Sequence, residues 1–434
     1  MQTINGFSKL SKVEKIEWLS SQLEGEAKDL VNRLNEFWHQ DETVQARLDE
    51  FSENTLSNFD LPFGIAPNFC INDKIFSIPM VIEESSVVAA ASLGAKYWLE
   101  RGGFKARVIS TVKVGQVHFK WQGSKDKLHS FFNAQKENLL NSLNHLTQNM
   151  EKRGGGIVGL ELVDMTDKIE NYWQLKLSAQ TCDAMGANFI NSILEEMAQV
   201  FRSMVANSHE FDQFEKEVQI IMCILSNYTP DCIVECSVSC PIDDLGVVNG
   251  VPAREFPEKF ATAVEIARVD PNRAATHNKG IMNGIDAVIL ATGNDFRAVE
   301  ACAHAYAARD GQYRSLTTAS LADDTFTFSI KIPLAVGTVG GLTSLHPLAK
   351  TSLAILGNPS AEELMMITAA VGLAQNFGAV KSLVTTGIQQ GHMKLHLLNI
   401  MGQLGATSEQ VEEGKKYFAD KVVSYTAVRN FLNL

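Results

Sequence analysis

The sequence predicts a mixed α/β (α+β) protein in which a split βαβ sandwich interrupts a larger α/β domain. Three observations carry this prediction. The stretch ARVISTVKVGQVHFKWQ (106–122) alternates apolar and polar residues, the signature of antiparallel strands, and it falls between longer segments of helical periodicity. From there to about residue 220 the order is strand, helix, strand, strand, helix, strand, which is the layout of a split βαβ unit. The length of 434 residues also exceeds one ordinary core, so two domains with smaller attachments are expected.

The N-terminal segment reads as helices up to about Glu53, with Ser11 and Glu14 forming a capping box before an amphipathic run. A strand is expected over KIFSIPMVI. EESS then opens a small-residue helix, VVAAASLGAKYWLE, which Gly102 and Gly103 stop. Inside the sandwich, FFNAQKENLLNSLNHLTQNM is helical and leads to the glycines at 154–156. Two strands ending at LKLSAQ follow. A helix then starts near Ala187, with Ile190, Ile193, Leu194, Met197, Phe201 and Met204 on one stripe. Beyond Pro257 the pattern gives a helix ending before Pro271, a polar loop, a buried strand over AVILATG, a helix over RAVEACAHAYAAR, strands, and a small-residue helix near 361–376. Thr407 and Gln410 make a second capping box in a helical tail. The boundaries drawn from this pass are a discontinuous large domain (1–106 and 221–378), a small domain (107–220) and a C-terminal helical segment (379–434).

Apolar content of 45% with 20% charged residues suits a packed globular enzyme. A net charge of -12 disfavours nucleic acid and anionic membrane as partners. No apolar run of bilayer length and no signal-peptide core are evident, so a cytoplasmic protein is expected. Seven cysteines, an odd number, point to free thiols. Cys232, Cys236 and Cys240 resemble a metal site. At alternate positions of a strand, however, neighbouring cysteines lie roughly 13 Å apart, too far to share an ion. They are expected as core residues.

Neither GxGxxG after a strand nor GxxxxGK[ST] occurs, so neither a Rossmann fold nor a P-loop is indicated. In DAMGANFINSI (183–193), Asp183 can cap a helix and Gly186 allows a phosphate to approach free amides. An ordinary capped helix explains that segment equally well. In DPNRAATHNKGIMNGIDAVILATGNDF (270–296), Arg273, Lys279 and Asn283 occupy the polar loop, and Asp295 sits at the mouth of the next helix. Glu84 occupies a similar strand-to-helix junction. Two acids and a lysine converging there could act as proton donor and oxyanion stabiliser, though solvated loop charges give the same pattern. His392 and His396 are four apart on one helical face. The glutamate that zinc hydrolases carry after the first histidine is Met393 here, so no metal is expected.

The strings EESSVVAAAS, DAMGAN, RAATHNKGIMNGIDAVILATGNDFRAVEACAHAYA, VGTVGG and GHMKLH occur in the order and spacing of the class II 3-hydroxy-3-methylglutaryl-CoA (HMG-CoA) reductases. The resemblance runs from about Leu10 to the C-terminus. It implies a large α/β domain for HMG-CoA, an inserted ferredoxin-like domain for the nicotinamide cofactor, and a C-terminal flap. The implied reaction takes HMG-CoA through a hemithioacetal and an aldehyde to mevalonate and CoA, using two NAD(P)H, in the mevalonate route of isoprenoid biosynthesis. The same resemblance makes Glu84, Lys279, Asp295 and His392 catalytic. Lys279 would stabilise the oxyanion, Glu84 donate protons, Asp295 keep Lys279 charged, and His392 protonate the leaving thiolate. Arg273 would hold the HMG carboxylate, with Ser86, Asn283 and Asn376 adding polar contacts. Asp183, Met185, Gly186, Ala187 and Asn188 would line the dinucleotide site. Glu137 falls near the position where NAD-preferring relatives carry an acid, which favours NADH over NADPH. A homodimer or higher oligomer is implied. At the family's ENxxG, Ser57 replaces glycine and would strain the turn if a positive φ is needed there. The competing readings are a noncatalytic CoA-ligand binding protein, whose signature would be a lost catalytic position, and the same enzyme run as mevalonate oxidation. No catalytic position is lost.

Overall fold

The computed structural model describes all residues except 1, 24–26, 386, 388–396, 419, 420, 422 and 434. The chain divides into two compact units, Met1–Pro62 and Phe63–Leu434.

The first unit holds helices α1 (Lys12–Ser21), α2 (Ala27–Glu36) and α3 (Glu42–Asp49). The reciprocal Ser11–Glu14 capping box starts α1. Lys12 bridges to Asp49 at 2.8 Å, and Gln45 meets Asn58 through their amides. The strain expected at Ser57 does not occur. The left-handed residue in that segment is Asn54 (φ 58), a residue type that tolerates the conformation, and Ser57 Oγ instead donates to Leu34 O at 2.6 Å.

The second unit opens with an antiparallel hairpin, β1 (Phe63–Ile71) and β2 (Lys74–Val81), followed by α4 (Val87–Leu99) and β3 (Lys105–Val108). Next come β4 (Lys113–Lys120), α5 (Lys125–Ser142), α6 (Asn144–Glu151), β5 (Gly156–Asp164), β6 (Tyr172–Gln180), α7 (Ala187–Asn207) and β7 (Gln219–Leu225). Their four strands form one antiparallel sheet in the order β5-β6-β4-β7. It has a core of its own. Val117 and Phe119 of β4 and Leu175 and Leu177 of β6 face Ile190, Leu194, Met197 and Phe201, the stripe read from the sequence.

The chain continues through β8 (Ile233–Pro241), α8 (Phe256–Val269), α9 (Pro271–Ala291), α10 (Phe296–Ala307), β9 (Thr317–Ala322), β10 (Thr325–Pro333), α11 (Gly341–Leu345), α12 (Pro347–Ile355) and α13 (Ala361–Val384). A second antiparallel sheet runs β3-β8-β10-β9. Val234, Cys236, Val238 and Cys240 of β8, with Cys232 just before it, are buried, as the alternation required. Among the described residues no group of side chains could hold a metal ion.

The expectation of a polar loop and a buried strand across 271–292 is overturned. That stretch is one 21-residue helix, α9, capped by Asp270 with Pro271 in its first turn. Pro271 therefore marks the end of one helix and the start of the next. The sequence also suggests no apolar run of bilayer length, yet α13 has the length and a mean hydropathy of 1.2. Its composition reflects a core position instead, since 78% of its most apolar window is buried. It packs on α4, α8 and α9. Gly284 of α9 lets the two helices approach, because a Cβ there would lie 2.9 Å from Gln375 Cβ and 3.0 Å from Val371 O. Toward the C-terminus, a helical stretch over 397–403 and helices Ser408–Tyr417 and Tyr425–Phe431 share a small core of their own, including Met401, Phe418 and Val428.

Candidate active site

Glu84 lies in the short link between β2 and α4. Ser86, which ends that link, caps α4 in the left-handed region (φ 78) without using its hydroxyl as a cap. A side-chain-bearing residue held there stores on the order of 1 kcal/mol of backbone strain. The turn aims Glu84 across to α9. Lys279 Nζ donates to Glu84 Oε2 at 2.5 Å, although 195 residues separate the two in the chain. Asn283, one helical turn beyond Lys279, donates to the same oxygen at 3.4 Å. Glu83 is exposed, and the contact to Lys279 is made by Glu84. The Lys279 and Glu84 side chains are 61% and 39% exposed, so the pair faces open space that a substrate can enter.

Arg273 sits half-buried two turns earlier on α9, with no ion pair among the described residues. Burial lowers its pKa, yet a guanidinium remains cationic there. A guanidinium so placed can take an external carboxylate.

Asp295 is elsewhere. It caps α10 by accepting from the amides of Arg297 and Ala298, and it pairs with the Arg297 guanidinium at 3.3 Å. About 18 Å of helix rise separates Lys279 from the end of α9. Asn294 N then bonds back to Ile289 O, which holds Asp295 at that far end. Within one chain, the expected convergence of two acids and a lysine reduces to Glu84 and Lys279.

The structure gives Asn376 buried partners within the fold. The residue is 1% exposed in the middle of α13. Its Nδ2 donates to His277 O at 3.2 Å, so its Oδ1 faces Thr317 and accepts from Thr317 Oγ1 at 3.1 Å. Thr317 must therefore accept from His277 Nε2, 2.6 Å away, which fixes the ring as the Nε2–H tautomer. Burial, reinforced by the Arg273 charge, pushes His277 down to about 3, and its Nδ1 has no partner. Asn376 thus supports α9 beneath the turn carrying Lys279. The sequence places His277 in the expected polar loop without a role and does not single out Thr317.

The segment 183–188 forms the turn before α7. Gly186 caps this helix at φ 95 with no side-chain bond to the first-turn amides, leaving them available to an anion. Ala187 begins the helix, Met185 and Ala187 are half-buried, and Asn188 is exposed. Asp183 has another task, since its Oδ1 caps α13 through Ala361 N at 2.8 Å. Its carbonyl accepts from Thr338 N, and Gly337 passes so close that a Cβ would meet Met185 N at 2.5 Å. Beneath the turn, Lys113 of β4 donates to Thr181 Oγ1 and to Ala184 O at 3.1 Å. Burial depresses the pKa of this amine. Lys113 escaped the sequence reading because it looks like any polar position of an alternating strand. Glu137 is exposed on α5 and makes no hydrogen bond or ion pair among the described residues. His392 and His396 lie outside the described residues.

Comparison with known proteins shows the family. Residues 13–397 match the family model of hydroxymethylglutaryl-coenzyme A reductase. The chain is 39% identical over 365 residues to the 3-hydroxy-3-methylglutaryl-coenzyme A reductase of Archaeoglobus fulgidus, covering 84% of this chain and 80% of that protein. It is 33% identical over 413 residues to the probable reductase of Borreliella burgdorferi, covering 92% and 89%. Among solved structures, the Streptococcus pneumoniae 3-hydroxy-3-methylglutaryl-coenzyme A reductase superposes with a TM-score of 0.74 at 36% identity, covering 100% of this chain and 99% of that one. A class II reductase from the same organism, bound to NADPH in open conformations, gives 0.73 at 37% identity over 88% of this chain and 100% of that one. The chain belongs to the hydroxymethylglutaryl-CoA reductase family, in its class II branch.

Proposed function

We propose that this chain reduces HMG-CoA to mevalonate and CoA at a centre built on Glu84 and Lys279, completed by His392 of the 379–434 segment and by Asp295 from a second copy. The observation that carries the reading is the 2.5 Å contact between Lys279 and Glu84 on an open face of α9. A cation held there by a carboxylate stabilises the oxyanion that develops when hydride reaches the thioester carbonyl, and again at the aldehyde. Glu84, already hydrogen-bonded to that amine, can pass a proton to the resulting alkoxide. Arg273 takes the HMG carboxylate by its guanidinium fork. Ser86 and Asn283 offer a hydroxyl and an amide around the same space. His392 would protonate the departing thiolate.

The case for a second copy rests on Asp295. It is bound at the far end of α9 in its own chain, so it can meet Lys279 only across a subunit contact. That requires a dimer or a larger assembly of dimers.

The cofactor is a reduced nicotinamide dinucleotide, two molecules of which, bound in turn, would each supply one hydride. The uncapped start of α7 suits a pyrophosphate, and Met185 to Asn188 would flank it. Asp183 supports this turn from the α13 side, and Lys113 holds it from beneath. We infer that residues 107–220 are a ferredoxin-like insert serving this purpose, with 1–106 and 221–378 forming the substrate domain. The strand order β5-β6-β4-β7 and the separate core of this segment support an insert here, with its edges moved past β3, which pairs with β8, and out to Leu225 at the end of β7. Glu137, exposed on α5, would repel a 2′-phosphate and favour NADH. The S. pneumoniae relative solved with NADPH supports NADPH as the alternative. Parallel assays of HMG-CoA-dependent oxidation of NADH and NADPH test the reaction and the preference together. Absence of oxidation with both would leave a protein that binds CoA ligands without turnover.

A further inference from the structure

One face of the sheet β3-β8-β10-β9 packs on the core, and the other carries a cavity of about 680 Å³. This volume falls within the ~300–1,000 Å³ usual for small-molecule sites. Six cationic side chains line it: Lys105, Arg107, Arg268, Arg309, Arg314 and Lys331. Only two carboxylates, Glu235 and Asp310, line it with them. This is a local excess of positive charge on a chain whose net charge is -12.

Lys105 pairs with Asp73 at 2.6 Å and Arg268 with Glu265 at 3.2 Å, yet the remaining partners do not neutralise the excess. Arg107 and Lys331 share one acid, Glu235, at 2.7 and 3.0 Å. Arg309 stacks on the Tyr306 ring and donates to Tyr306 O, and Arg314 donates to Arg268 O. Neither of these two guanidinium groups has a carboxylate partner among the described residues, so most of their five N–H donors remain free. The floor adds the hydroxyls of Ser237, Thr318 and Ser329. Forked cations above neutral hydroxyls match phosphate oxygens in both charge and geometry. None of Glu84, Lys279, Arg273, Asn283 or the 183–188 turn lines this cavity.

We propose that this cavity is a binding site for a small polyphosphorylated anion, separate from the catalytic centre. Di- and triphosphate groups occur both on free metabolites and on the CoA and dinucleotide tails, and the test separates these sources. Inorganic pyrophosphate and tripolyphosphate are titrated calorimetrically into the full chain at constant ionic strength, using the native protein and the double variant Arg309→Ala/Arg314→Ala. KM for HMG-CoA and for the dinucleotide is measured on both proteins, along with their size in solution. The expected result is saturable binding by the native protein, at least tenfold weaker in the variant, with both KM values and the assembly state unchanged. Lys331→Gln serves as the second variant if the double one fails to fold, with binding weakened in the same direction. Equal binding by native and variant proteins, or no binding at millimolar anion, would overturn the proposal. A tenfold rise in either KM would assign the cavity to a substrate tail instead. A change in assembly state would make it a contact between copies.

Discussion

Replacing Asn376 with alanine separates two roles for this residue, contact with substrate and support of α9. The side chain is 1% exposed and joins α13 to His277 O at 3.2 Å and to Thr317 Oγ1 at 3.1 Å. Alanine leaves a buried carbonyl and a buried hydroxyl each without this partner. The carbonyl keeps its place in the α9 ladder and the hydroxyl keeps His277 and Ser315, so each lost bond costs about 0.5–1.5 kcal/mol and the change should destabilise by about 1–3 kcal/mol before any cavity term. Lys279 lies two positions beyond His277 on the same helix, so kcat should fall along with stability while KM for HMG-CoA moves little. Urea unfolding and steady-state kinetics on the same preparation give both readouts. A loss below about 1 kcal/mol, with KM raised tenfold, would refute the buried-support role and return Asn376 to the substrate pocket.

Lys279→Ala should cost at least about a hundredfold in kcat, as loss of an oxyanion partner does, while an exposed pair of this kind contributes only ~0–1 kcal/mol to stability. Turnover close to native would remove Lys279 from the mechanism. His277 is held near 3 in the fold against an unperturbed value near 6.5, so the unfolded chain binds the proton first as pH drops. Stability is therefore full above pH 6.5 and declines below it, by about 3 kcal/mol at pH 4.5. His277→Gln should flatten that part of the curve, and an unchanged slope would count against the buried neutral ring. Burial and the neighbouring Glu300 carboxyl hold Asp286 well above the usual carboxylate range, so the fold keeps a proton that the unfolded chain releases above about pH 4. Asp286→Asn should consequently raise the melting temperature at pH 8, with the gain shrinking toward pH 4. Equal gains at both pH values would contradict this.

Periodicity and capping made much of the fold legible. The stripe on α7, the alternation through β8, and the Ser11 and Thr407 capping boxes depend on local spacing, and all stand where spacing puts them, whereas β4 is a strand buried on both faces. α9 was not legible in this way. Asn272, Thr276, Asn278, Gly280 and Gly284 lower its helix propensity, and AVIL near its end favours strand. Burial against α13 overrides both, and Gly284 is a crossing point rather than a helix breaker. The residue types at the site were legible as candidates from the junctions they occupy. Their grouping was not. No spacing rule shows that Lys279 meets Glu84 while Asp295 faces away, or that Asn376 turns inward to His277. Lys113 left no mark because its role exists only once β4 lies beneath the 181–184 turn.

The most direct test of a centre shared between copies mixes two inactive variants, Lys279→Ala and Asp295→Ala. If Lys279 of one copy works with Asp295 of another, each mixed dimer contains one intact pair and one doubly defective pair. Random exchange of equal amounts then restores intact pairs at about one quarter of the native number. The account predicts recovery of activity toward that level after the two proteins are unfolded and refolded together. Two variants that remain inactive when mixed, with mixed dimers demonstrably formed, would contradict it.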